Sequence, residues 1–125
     1  MKKKTCELMT NYVESAGNNA VCFSRYANFS FVQDMIISGC GPIGASGYLL
    51  IWDKDVLERR NDDYMVHVFL ENAFLFGTDG GDIAFGITKA GLFFEVPFMD
   101  MSNDAIRIIS DTFDGFIEKI ADGDY

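Results

Sequence analysis

The stretch Ser38–Gly47, SGCGPIGASG, contains Gly39, Gly41 and Gly44 in the spacing G-x-G-x-x-G. Glycines so placed let a strand turn sharply into a helix and bring backbone N–H groups up to a pyrophosphate, which rests on the helix N-terminus. That chemistry needs a strand before the glycines and a helix after them. Here the order is inverted. Phe31, Val32, Met35 and Ile36 share one helical face before the glycines, with Ser30 and Gln33 at capping-box spacing, and the apolar run YLLIW follows them. Asp62 and Asp63 stand about 20 residues further on, where a ribose-binding acid would lie, but at a helix end rather than a strand tip. The segment reads as a helix-to-strand connection whose glycines accept positive φ angles, and no cofactor is expected.

The other groups with chemical potential are sparse. His67 is the sole histidine, between valines in MVHVFL, and reads as a packed or edge-strand residue. Cys6, Cys22 and Cys40 are odd in number, and their spacing fits neither a zinc knuckle nor a C-x-x-C pair. They read as reduced thiols in a cytoplasmic protein. TDGGD supplies Asp79 and Asp82 without the twelve-residue EF-hand pattern, so no metal is expected. No G-x-S-x-G nucleophile elbow is present. With 19 Asp and Glu in the chain, neighbouring carboxylates alone say nothing about acid–base work. With no catalytic constellation visible, binding is favoured over catalysis.

The elements that carry these residues are short. Cys6, Met9, Tyr12, Val13 and Ala16 fall at helical spacing, and Gly17-Asn18-Asn19 reads as the stop. AVCFS reads as a strand, SFVQDMIISG as a helix ended by Gly39, and YLLIW as a strand ending in Trp52. Asp53 is the candidate N-cap of a helix bearing Val56, Leu57, Arg60 and Tyr64. VHVFL, AFLFG, IAFGIT and LFFEVPF are strand-like, GTDGGD is a turn, and KAG has the length of a hairpin connection. SNDAIRIIS fits strand or helix. The closing helix places Phe113, Phe116, Ile117 and Ile120 on one face, with Asp111 and Asp114 at its start and Lys119 near its end. Helices, then a block of antiparallel strands, then a helix make an α+β fold: one domain over residues 1–125, a mainly antiparallel sheet flanked by helices.

Composition agrees. The chain is 49% hydrophobic with 12 Phe, enough for one filled core. Its opening MKKKT is followed by no apolar run long enough for a signal peptide, and no stretch reaches the ~18–20 apolar residues of a membrane span. The net charge of -9 is lopsided. Residues 1–60 hold seven Lys/Arg against six Asp/Glu, and residues 61–125 hold three against thirteen. Such a back half repels phosphate backbones, which argues against direct nucleic-acid binding. It serves either as a solvated surface or as a face for a basic partner.

From Gly39 onward the order of motifs resembles the SUKH superfamily, which includes fungal regulators of cell-wall assembly and many bacterial toxin-immunity proteins. The glycine turn SGCGPIG leads to YLLIWDKDVLERRNDDY, then to FLFGTDGGDIAFGI, the most specific stretch, to LFFEVPF, and to the closing ISDTFDGFIEKIA. The likeness spans about residues 29–122, without the Pro that usually opens the family's first helices and with extra residues in the glycine turn. It implies that Trp52, Gly77, Asp79, Gly80 and Gly81 shape the fold and its cleft. It also implies a cytoplasmic binding protein that neutralises a cognate toxin domain by direct contact, or else a regulatory module that binds an endogenous protein. Many such toxins are nucleases with basic substrate surfaces, which makes Asp79, Asp82, Glu95, Asp100 and Asp104 the acidic candidates for partner contact. A homodimer through a strand edge is a further expectation that the sequence leaves open.

Overall fold

The glycine-rich segment is itself a strand. The computed structural model describes residues 3–14 and 38–125. Helix α1 (Lys3–Leu8) is followed by β1 (Val13–Glu14), β2 (Gly39–Ile43) and β3 (Gly47–Ile51), then by α2 (Lys54–Asp63) and the single turn α3 (Val66–Phe69). Strands β4 (Ala73–Thr78), β5 (Ile83–Thr88), β6 (Phe93–Pro97) and β7 (Arg107–Ser110) precede α4 (Phe113–Asp122). Two 3-10 turns, Phe98–Asp100 and Asn103–Ala105, join β6 to β7. The seven strands form one sheet in the order β1 to β7, every neighbouring pair antiparallel. The chain is α+β.

The β2–β3 hairpin pairs Gly39 with Ile51 and Ile43 with Gly47, and Gly44 makes the turn at φ 61°. Side chains alternate as a half-covered sheet requires: Ile43, Leu49 and Ile51 are buried, while Cys40, Pro42 and Tyr48 face out. The expected helix-to-strand connection is therefore corrected to a strand–turn–strand, with the positive φ angles retained. After Gly44 the chain enters β3 and not a helix, so no helix N-terminus stands at these glycines for a pyrophosphate to rest on.

Three further expectations change. The first helix ends at Leu8 instead of running to Ala16. The Thr10 hydroxyl donates to the Glu7 carbonyl at 2.7 Å, and the chain turns so that Val13 pairs with Cys40. VHVFL is not a strand. Tyr64 closes α2, Met65 takes a left-handed conformation (φ 55°), and one helical turn follows with Val66 and Leu70 buried four residues apart. His67 is accordingly an exposed residue of a helical turn. SNDAIRIIS divides into a 3-10 turn and β7. The expected strand AVCFS and all of the helix SFVQDMIISG before Ser38 lie outside the described residues.

Helix α4 closes the core as its spacing predicts. Thr112 caps it by accepting from the Gly115 N–H at 3.0 Å, and Gly123 ends it in a left-handed conformation at φ 70°. The cap is worth about 1 kcal/mol. Burial outweighs it, at ~1.5–3 kcal/mol for each large apolar side chain, because Phe113, Phe116, Ile117 and Ile120 are all buried. Phe116 meets the rings of Phe76, Phe85 and Phe93 at 5.2–5.5 Å between centroids. The same helix holds α1, through the Thr5 hydroxyl on the Asp114 carboxylate and a Lys4–Glu118 ion pair at 3.5 Å.

Asn61 holds α2 to the sheet. Strand β3 pairs with β4 only through Leu50–Thr78 and Ile51–Gly77, extended by the Trp52 N–H on the Phe76 carbonyl at 3.0 Å. Beyond that point the fully buried Asn61 side chain takes over. Its oxygen accepts from the Leu75 N–H at 2.8 Å, and its amide donates to the Leu75 carbonyl at 2.7 Å and the Leu57 carbonyl at 2.9 Å. Removing it strands two buried backbone groups at about 1–3 kcal/mol each. Asn61→Leu, close in volume but without polar atoms, should lower the unfolding free energy by ~2–4 kcal/mol in urea titration; an unchanged midpoint would show that Leu75 finds other partners.

Candidate functional site

The residues singled out by sequence gather in two groups, one beside α2 and one at the turn between β4 and β5. At the first, α2 lays Trp52, Arg60 and Tyr64 together. Trp52 follows β3 and is 8% exposed. Its ring stacks with Tyr64 at 6.2 Å between centroids and carries the Arg60 guanidinium 5.8 Å above it, within reach of a cation–π interaction. Tyr64 meets Phe98 at 4.9 Å. A cleft of about 420 Å³ opens beside Trp52, lined by Cys40, Leu50, Trp52, Val56 and Arg60 among others. Its walls are mostly apolar, with Arg60 and Asp53 the charged residues among them.

The turn between β4 and β5 holds the other picked residues. Asp79 Oδ1 accepts from the Gly81 N–H at 2.8 Å, and Thr78 Oγ1 donates to the Ile83 carbonyl at 2.6 Å while accepting from the Gly80 N–H at 3.1 Å. Asp79 thus builds the turn, and its other oxygen accepts from the Tyr125 hydroxyl at 3.3 Å. The three glycines are unequal. A Cβ at Gly77 would collide with the Leu50 carbonyl of the neighbouring strand, and Gly80 is left-handed at φ 85°. At Gly81 a Cβ would meet only the Asp79 carboxylate, at 3.4 Å. Gly77→Ala should therefore cost about 1–3 kcal/mol or more, whereas Gly81→Ala should fall within ~0.5 kcal/mol of wild type in thermal or urea unfolding.

The five acidic candidates divide by burial. Asp82, Asp100 and Asp104 are exposed. Asp79 is half-buried in its turn. Glu95 is corrected: it is 8% exposed on β6, inside the sheet rather than on a face open to a partner. Its Oε1 pairs with Arg107 at 3.3 Å, and Arg107 also reaches Asp124 at 3.2 Å. Its Oε2 has no hydrogen-bond partner among the described residues. Burial pushes the Glu95 carboxyl above the usual range, Arg107 draws it back, and Asp79 and Asp124 add to the rise. Burial likewise raises the Tyr125 hydroxyl, with Asp79 adding to it.

The folded state holds the Glu95 proton more tightly than the unfolded chain does. Glu95 therefore contributes stability that is complete below its unfolded pKa and is lost as pH rises through the folded one. Glu95→Gln keeps the shape and removes the titration. Wild type should lose stability relative to this variant as pH rises above the ordinary carboxylate range in paired urea titrations; a flat difference would remove Glu95 from the pH dependence.

Among the described residues no group of three His, Cys, Asp or Glu side chains could hold a metal ion, and no helix is long and apolar enough to cross a membrane. Cys6 and Cys40 are exposed free thiols; Cys22 lies outside the described residues. Sequence reasoning missed Asn61, whose role depends on where β3 stops. It also missed the run Tyr64–Phe69, of which only Val66 is buried once Met65 breaks the helix. Compared with known proteins, the chain matches no family model and no curated sequence.

Proposed function

We propose that this chain is a SUKH-type immunity protein, a cytoplasmic binding module that neutralises a toxin domain with a basic surface by direct contact, without catalysis of its own. The observation that carries the reading is the division of the acids. Asp79 and Glu95 serve the fold, while Asp82, Asp100 and Asp104 stand exposed around the Phe98 corner. The Phe98 N–H donates to the Asp82 carbonyl at 2.9 Å, which joins the turn bearing Asp82 to the segment bearing Asp100. Acids held at the surface of a strongly anionic domain raise the rate at which a cationic partner is captured. Two exposed thiols fit a reducing compartment. The motif order over residues 29–122 supports the family.

The test is co-expression with the C-terminal domain encoded by a neighbouring toxin-like gene. Survival together with a co-purifying complex is the expected result. Death with no complex would favour the regulatory module that binds an endogenous protein. The variant Asp82→Asn/Asp100→Asn/Asp104→Asn should slow association with that domain by roughly tenfold at low salt, and by much less at high salt. Unchanged association at low salt would remove steering from the mechanism.

A further inference from the structure

The exposed large hydrophobic side chains among the described residues are not scattered. They are Val13, Tyr48, Tyr64, Met65, Val68, Phe69, Met99 and Ile108. Four of them fall within the six residues Tyr64–Phe69, and a fifth, Met99, follows Phe98, whose ring touches Tyr64. Val66 and Leu70 anchor α3 inward, so Met65, Val68 and Phe69, spaced i, i+3 and i+4, form its outer face. They are 48%, 57% and 47% exposed, and Met99 is 93% exposed.

The backbone presents this face under strain. Met65 and Asn72, at either end of the turn, are the two residues other than glycine with positive φ (55° and 51°) among the described residues. Strained backbone of this kind concentrates where a segment is held for function. An apolar cluster of this make-up on a chain of charge -9 marks a docking surface more often than a solubility feature.

The charges around it identify the occupant. Asp63 directly precedes Tyr64 and is exposed. Glu71 follows Leu70, and its N–H donates to the Asn103 side chain at 3.0 Å, which ties α3 to the turn bearing Asp104. Asp82 and Asp100 flank Phe98. The cations of this corner are Arg59 and Arg60, a turn back along α2, with Arg60 over Trp52, and Lys89, whose backbone N–H donates to the Asn72 carbonyl at 2.8 Å; the five acids outnumber them. An apolar centre with an acidic rim matches a protein surface in which aliphatic or aromatic side chains are flanked by Lys and Arg. We infer that Tyr64, Met65, Val68, Phe69 and Met99 are the anchor of the partner interface, and that the partner is a cationic amphipathic protein segment. This rests on the binding reading above and specifies its surface.

The probe is a synthetic amphipathic helical peptide with Leu and Phe on one face and Lys on the other, paired with a control in which Gln replaces every Lys. Amide shifts in the full chain should concentrate at residues 63–71 and 98–104. Val68→Ser/Phe69→Ser should weaken binding about tenfold or more, and the Gln peptide should bind about tenfold more weakly than the Lys peptide. The thermal midpoint of the double variant checks its fold, and Met99→Ser, at a side chain almost fully in solvent, gives a second variant that the core does not feel. Shifts elsewhere, no shifts at millimolar peptide, equal binding of the Gln peptide, or a dimer that buries α3 in sedimentation would each overturn the inference. The toxin co-expression separates the two readings. If the double variant protects as well as wild type, the surface is wrong and immunity stands. If the peptide maps to α3 but wild type gives no protection, immunity falls and the surface stands.

Discussion

One side-chain amide decides how the second half of this domain is arranged. Strand β3 is too short to pair with the whole of β4, and Asn61 supplies the missing backbone partner at Leu75. A buried amide that satisfies both groups of a strand residue fixes position as well as energy, because no neighbouring residue of α2 can replace it. Trp52 sits just before α2 and Tyr64 just after, so the clamp sets where the stacked rings lie. Tyr64 in turn sets Phe98, and the break at Met65 sends α3 back toward β4. The aromatic corner and the exposed face of α3 are thus consequences of where β3 ends.

The acidic charge has two structural fates. Around Arg107, the Glu95 carboxylate is drawn into the fold, Asp124 pairs with the same guanidinium from the surface, and Asp79 is tied to Tyr125. The ion pairs of Arg107 itself are half in solvent and count for little alone; their weight comes from Glu95, a carboxyl that would otherwise be buried without compensation. Around Phe98 the acids Asp82, Asp100 and Asp104 are exposed and make no ion pair among the described residues. Net charge read from sequence merges these two populations, and only burial separates a carboxylate that stabilises from one that can meet a partner.

Much of the fold was legible. The closing helix and the β4–β5 and β5–β6 hairpins follow from periodicity and turn residues. The class follows from their order. The errors have identifiable causes. VHVFL has strand composition, but between the left-handed Met65 and Asn72 the chain buries Val66 and Leu70, four residues apart, on one side of a helical turn. The glycine segment satisfies the letters of a dinucleotide motif, yet Pro42 and the alternation of Ile43, Leu49 and Ile51 suit a hairpin. Met9 and Tyr12 keep the helical spacing that points to a helix as far as Ala16, and both are buried from a turn, which meets that spacing equally well. Glu95 counts as one acid among thirteen in an anionic half, and nothing in the sequence tells that both faces of β6 are covered. Of the candidate site, Trp52 and the exposed acids were visible in the sequence. Tyr64, Met65, Val68 and Phe69 were not, since apolar residues in a run look buried until the backbone is known.

The sheet is a meander, each strand paired with the next, so most of its pairing is local in sequence and quick to form. Helix α4 is the exception. It follows all seven strands, yet it supplies Phe113, Phe116, Ile117 and Ile120 to the core and holds α1 at the other end of the chain. During synthesis, which delivers the strands first, Phe76, Phe85 and Phe93 are made before the helix that covers them. The nascent sheet therefore carries an open aromatic face until the final helix leaves the ribosome, and the interval between β7 and α4 is when this protein is most exposed to aggregation and to chaperones.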